Sequence, residues 1–334
     1  MEKQRVLWLD VLKGIAIILV IIGHGPVIDE RIYNFIWVFH MPLFFCIAGY
    51  TFHKSDNDTE FIRKKIERLL KPYGFTVIML TILAGYTYVR TNGMDIIGTI
   101  KIIGRWIYGG LYGSCWSYEE PFVIYDIGAI WFLCALFCAE LLFHELLKLD
   151  KNLMPLFVLI LAYVGIATRT YIWLPWGIQC GMTTLVFLYA GYLARENDWI
   201  DKRISFIMHS VMLSVCVICI WKNSMAIVGN NTYTLGCLTI IGALCISFYL
   251  ARFCKLFLNT SNRVTRIFSF FGKNSMTILC FHLVELDFFP WTAYVNFFSS
   301  EELNYLLILI FKLIYAAVVV TIVRRINFLK RIFE

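Results

Sequence analysis

A few residues able to do chemistry stand inside otherwise apolar stretches of this chain. Asp10, Lys13 and His24 fall within "LDVLKGIAIILVIIGHGPV". At about 100° per residue, eleven positions make three turns plus about 20°, so Lys13 and His24 share a helix face about 16 Å apart. Asp10 lies a turn before Lys13 on that face. An imidazole titrating near neutrality can take a proton from a hydroxyl as a bond forms. His40 stands two residues before Pro42 in "IWVFHMPLFFCIAGYTF", where proline removes a helix hydrogen bond and frees the carbonyl of Val38. In "FFGKNSMTILCFHLVELDFF", Asn274 and Ser275 cap a helix start. His282 and Glu285 are three apart there and can touch, as a proton relay or as a mutually satisfied pair. Structural readings compete throughout. His24 can simply end a helix among Gly23, Gly25 and Pro26, and His40 can be a satisfied core histidine.

The elements that carry these groups are set by composition. Of 334 residues, 60% are hydrophobic and 16% charged, against about 25% charged in soluble domains. The apolar runs are continuous rather than alternating, and about 20 such residues cross a bilayer as a helix. The fold expected is all-α: a polytopic membrane helical bundle, one integral-membrane domain over 1–334. Ten spans fit, near 12–28, 33–53, 72–89, 127–147, 153–168, 178–194, 204–221, 233–251, 275–292 and 304–323. The stretch 94–126 reads as an interfacial helix or a re-entrant segment.

Charge gives the orientation. Lys3, Arg5 and Lys13 begin an alternation in which most lysines and arginines fall in every second connection. By the positive-inside rule both termini are cytoplasmic. Topology thereby accounts for the net charge of +7, and no nucleic-acid partner is needed. Most of the eleven cysteines sit singly in apolar runs as small hydrophobes. Cys216 and Cys219 form one C-x-x-C pair, too few ligands for a zinc centre, and no metal is expected. The second connection holds Arg63, Lys64, Lys65, Arg68 and Lys71, with Pro72 opening the next span. That cluster suits lipid headgroups or a polyanionic ligand. Glu140 and His144, four apart near the end of the fourth span, read as structural.

In this order, "LDVLKGIAIILVIIGH", "FHMPLFFCIAGYTF", "KKIERLLKPY", "AIWFLCALF" and "FGKNSMTILCFH" resemble the acyltransferase-three family of integral-membrane acyltransferases. The "HMPLFF" text is most similar to its fucose 4-O-acetylase-like branch. The resemblance runs from about Leu9 to Val323. It implies transfer of an acyl group, usually acetyl from acetyl-CoA as co-substrate, to a hydroxyl of a sugar or other acceptor. It implies that His24 is the catalytic base and Lys13 its paired basic residue. Many members have arginine at the position of Lys13, and lysine lacks the planar fork. Lys65 and Arg68 match the family's basic-x-x-Arg, so the run from Arg63 to Lys71 would face the donor.

The chemistry then reads as follows. His24 accepts the proton of an acceptor hydroxyl that attacks the thioester. His40 is the candidate oxyanion donor, with Asn274 and Ser275 as weaker ones and Asp10, His282 and Glu285 as further contacts. Coenzyme A phosphates bind from the cytosol, so a passage must connect the basic run to His24. The expected location is a cytoplasmic membrane, bacterial by the resemblance, with membrane lipids around the bundle. A proton-coupled transporter or flippase would use the same intramembrane histidines.

Overall fold

The computed structural model describes residues 6–26 and 29–333. Lys3 and Arg5, read above as cytoplasmic charges, and positions 27–28 of the first expected span lie outside the described residues. Within them the chain forms α1 (Leu7–Gly23), α2 (Glu30–Tyr50), α3 (Asp58–Lys65), a π-turn over Ile66–Leu70, α4 (Lys71–Asn92), α5 (Ile96–Tyr112), α6 (Trp131–Leu146), α7 (Met154–Thr168) and α8 (Ile178–Glu196). Then follow α9 (Phe206–Trp221), α10 (Cys237–Phe257), α11 (Arg263–Lys273), α12 (Ser275–Phe288), α13 (Trp291–Tyr294), α14 (Glu301–Arg325) and α15 (Asn327–Phe333). The single strand pair among the described residues joins Ala226–Ile227 to Thr232–Tyr233, antiparallel. The chain is an all-α membrane bundle.

Each expected span falls on one of these helices, but they are not equally long. Among the described residues six stretches are long and apolar enough to cross a bilayer, or seven if α11 and α12, bent by 72° at Asn274, count as one. α7 and α9 are shorter apolar helices, and α1 has 17 residues. At 1.5 Å per residue α1 extends about 25 Å, just short of a typical hydrocarbon core. The stretch from Asp58 to Asn92 runs as one 35-residue helix with the π-turn inside it. The region 94–126 resolves into α5 followed by an irregular segment. α5 is held against α4 by the Tyr73 hydroxyl, which donates to the carbonyl of Gly110 at 2.5 Å.

Two contacts fix the frame of the site. α1 and α2 are antiparallel neighbours: the rings of Trp8 and Tyr50 meet at 5.4 Å at one end, and those of His24 and Trp37 at 5.6 Å at the other. α11 lies directly on α1, backbone to backbone. A Cβ on Gly272 would stand 1.7 Å from the carbonyl oxygen of Asp10, and one on Gly14 would stand 1.9 Å from that of Phe268. Only glycine allows this approach, and it carries α12, the helix of His282 and Glu285, in beside α1. Pro42 does not interrupt α2, which continues through it to Tyr50. The ring removes one N–H, as expected, while the flanking turns stay helical.

Candidate active site

Three imidazoles meet where α1, α2 and α12 converge. His24 follows the last turn of α1, His40 lies mid-way along α2 and His282 mid-way along α12. The His24 ring is central, 6.3 Å from that of His40 and 5.8 Å from that of His282, nearly perpendicular to both. His40 and His282 are buried, 1% and 4% exposed, whereas His24 is half-buried. His24 is therefore the imidazole a solute would meet first.

Local hydrogen bonds select the tautomers. Nδ1 of His24 lies 2.9 Å from the carbonyl oxygen of Val20, and Nδ1 of His40 lies 2.9 Å from that of Ile36. A carbonyl only accepts, so in both rings Nδ1 carries the proton and Nε2 keeps a lone pair when the ring is neutral. Nδ1 of His282 faces the Glu285 carboxylate at 2.7 Å, and its buried Nε2 has no hydrogen-bond partner among the described residues. All three neutral rings thus offer an acceptor nitrogen, which suits a hydroxyl-bearing ligand. For His40 the oxyanion role would require the protonated ring, whose Nε2 also carries a proton. A neutral His40 with Nδ1 engaged has no N–H to offer from Nε2.

Glu285 anchors the far side. One of its oxygens also accepts from Lys312 Nζ at 3.0 Å, and the other accepts from the indole N–H of Trp291. Glu285 and Lys312 are 3% and 4% exposed. A buried charge of this kind persists only when paired and hydrogen-bonded. The indole of Trp37 donates to the carbonyl of Gly23 at 3.1 Å, tying the end of α1 to α2. Sequence reasoning missed Lys312, Trp37 and Trp291 as site residues. For Lys312 a signal existed, since it is a lone cation within "LLILIFKLIYAAVVV".

Other expected residues are not brought to this cluster. Lys13 is half-buried and has an interacting neighbour, but eleven residues along α1 keep it about 16 Å from His24. Asp10 is further down the same helix, with one oxygen 4.0 Å from Lys273 Nζ. Asn274 spends its amide on the carbonyl of Phe270 at 2.5 Å. Asn274 and Ser275 open α12 seven or eight residues before His282, a separation of about 10 Å or more, too far to share its site.

The basic run divides. Lys65 turns inward to Glu140, 2.7 Å away, and sits 5.2 Å from the ring centres of both Phe52 and Phe61. Lys64 pairs with Glu60 at 2.7 Å, and Lys71 donates to the carbonyl of Arg331. Arg63 and Arg68 are exposed. The π-turn, an element that often marks functional sites, begins just after Lys65. It lets Lys65 face the interior while Arg68 faces out. This run lies at the Tyr50 end of α2, about 20 Å along that helix from Trp37 and His24.

Two cavities stand out, of about 680 Å³ and 510 Å³, and His24 lines neither. The smaller follows α4 from Leu70 to Ile82 against α5 and Trp176. Ligand atoms of Asp58, His144 and Glu145 lie within 4.8 Å of one another. Lys148 already fills the cation position there, with Nζ 2.8 Å from both Asp58 and Glu145, and these bonds hold its ammonium above the ordinary lysine range.

Fold and site together describe an integral-membrane protein with an imidazole cluster presented at one end of its bundle. A family model described as an acyltransferase domain, Acyl_transf_3, matches residues 6–325, and the chain belongs to that membrane acyltransferase family. No curated protein and no solved structure matches it.

Proposed function

We propose that this protein is an O-acetyltransferase that moves the acetyl group of acetyl-CoA to a hydroxyl of a sugar or related acceptor, with His24 as general base. The observation that carries the reading is the half-buried His24 ring, whose Nδ1 bond to Val20 leaves Nε2 free to accept a proton. The acceptor oxygen attacks the thioester carbon as its proton passes to Nε2. The C–S bond then breaks, and the proton leaves with the coenzyme A thiolate. Thiolates and imidazoles exchange protons readily near neutrality.

Donor phosphates would bind Arg68 and Arg63, with Lys64 and Lys71 nearby and Lys65 positioning that segment through Glu140. The thioester must then cross about 20 Å of bundle to reach His24. Termini on the cytoplasmic side of a bacterial membrane, and kinship with the fucose 4-O-acetylase-like branch, accord with this arrangement. Purified protein given acetyl-labelled acetyl-CoA and a panel of sugars should produce a labelled ester. His24→Ala that folds normally and keeps wild-type transfer would remove His24 from the role.

A second reading draws on the buried Lys312–Glu285–His282 chain, since ionisable chains inside membranes also serve proton-coupled transport. Solute uptake by proteoliposomes driven by a pH gradient, without ester formation, would favour it.

A further inference from the structure

The 680 Å³ cavity lies at the opposite end of α1 from the imidazoles. It reaches Leu12 but no further along that helix, about 18 Å short of His24. Its floor is Leu12 of α1, Leu43 and Ile47 of α2 and Leu244 of α10. Its open side is α9, where Met208, Val211, Met212 and Val215 supply one apolar face. Among the described residues α9 buries only Cys216 and Cys219, so it stands away from the bundle and leaves the space between. From Ser205 to Val215 the cavity runs about 15 Å along α9.

The mouth has a different character. At this end the cavity is lined by the buried Trp8 and by Tyr50 and Trp199, and Lys202 and Arg203 stand exposed on its rim. Aromatic and cationic side chains at one level mark the membrane–water interface. Nearby Asp201 is taken by Lys255. Among the described residues the side chains of Lys202 and Arg203 form no ion pair. Asp198 is the other acidic residue of this turn.

We infer that this cavity binds one acyl chain of an anionic phospholipid, with the lipid phosphate held by Lys202 and Arg203. The walls are nearly all hydrocarbon, which suits a lipid tail. They would strand the amides of a pantetheine arm without partners. The paired cations meet the phosphate charge. The site is separate from the His24 cluster, and the proposal does not rest on the acyltransferase reading.

The test uses the full chain extracted from nanodiscs of mixed phosphatidylcholine and phosphatidylglycerol, with retained lipids counted by native mass spectrometry. Phosphatidylglycerol should be enriched on the order of ten-fold, as expected for two interfacial cations. The doubly substituted Lys202→Glu, Arg203→Glu should lose the preference while keeping the wild-type melting temperature. Met212→Trp, which fills the cavity, should lose retention of either lipid. Equal retention of both lipids by the wild type would overturn the proposal. So would an unchanged preference in the charge-reversed variant, or displacement of the lipid by excess acetyl-CoA.

Discussion

Glu285 and Lys312 form an ion pair at 3.0 Å between α12 and α14, both almost fully buried. They are twenty-seven residues apart in sequence, and the same carboxylate oxygen also receives Nδ1 of His282. This buried charge pair ties the last long helix to the imidazole cluster. Its energetic asymmetry is the useful property, because removing one partner leaves the other charged in an apolar surround.

Glu285→Gln should therefore destabilise the protein by about 3–5 kcal/mol. The double variant Glu285→Gln, Lys312→Met should regain much of that loss. Thermal unfolding of the two singles and the double measures the coupling. Additive losses would show that the two groups do not act as a pair.

His24→Ala should lower acetyl transfer by about 10²–10⁴-fold, the range for a positioned general base. Its melting temperature should stay near wild type, since the ring is half-buried and bonds only to its own helix. His282→Ala should cost both activity and stability, because it strips a partner from Glu285. Parallel activity and unfolding measurements separate the two patterns.

Within the basic run, Arg68→Ala should raise KM for acetyl-CoA with little change in melting temperature. Lys65→Met should instead destabilise, leaving the 5%-exposed Glu140 without its ammonium, at a cost of about 3–5 kcal/mol. If Lys65→Met altered only KM, the Glu140 pair would have no structural role.

Gly272→Ala places a methyl carbon where the carbonyl of Asp10 already stands. Neither backbone can yield without separating α11 from α1, so a loss of several kcal/mol is expected. Because α12 follows α11 directly, His282 should also shift. Thermal unfolding and acetyl transfer should fall together, and an unaffected variant would contradict the close approach.

How much of this was legible beforehand depends on the range of the interaction involved. Spans were readable because each helix in lipid satisfies its own backbone and needs only a local apolar run. α7 and α9 form where expected, as shorter apolar helices, and α1 has the expected 17 residues but begins at Leu7 rather than near position 12. His24 and His40 were readable as candidates because ionisable groups in such runs stand out. Lys13 and Asp10 lie about 16 Å or more along α1 from His24, as their spacing implies, and Asn274 and Ser275 open α12 well before His282. At about 1.5 Å per residue, separation along one helix is itself legible in the spacing, whereas contact between helices is not.

The sequence alone determined what each segment must do locally: span as a helix, cap or turn. Tertiary structure decided which polar groups meet. Lys65 found Glu140, and Lys312 found Glu285, across long sequence separations. α11 reached α1 through two glycines whose fit depends on the facing carbonyls. The physical reason is that backbone hydrogen bonding and hydrophobic length act within a segment, whereas pairing of buried charges depends on helix rotation and packing, which no single segment encodes.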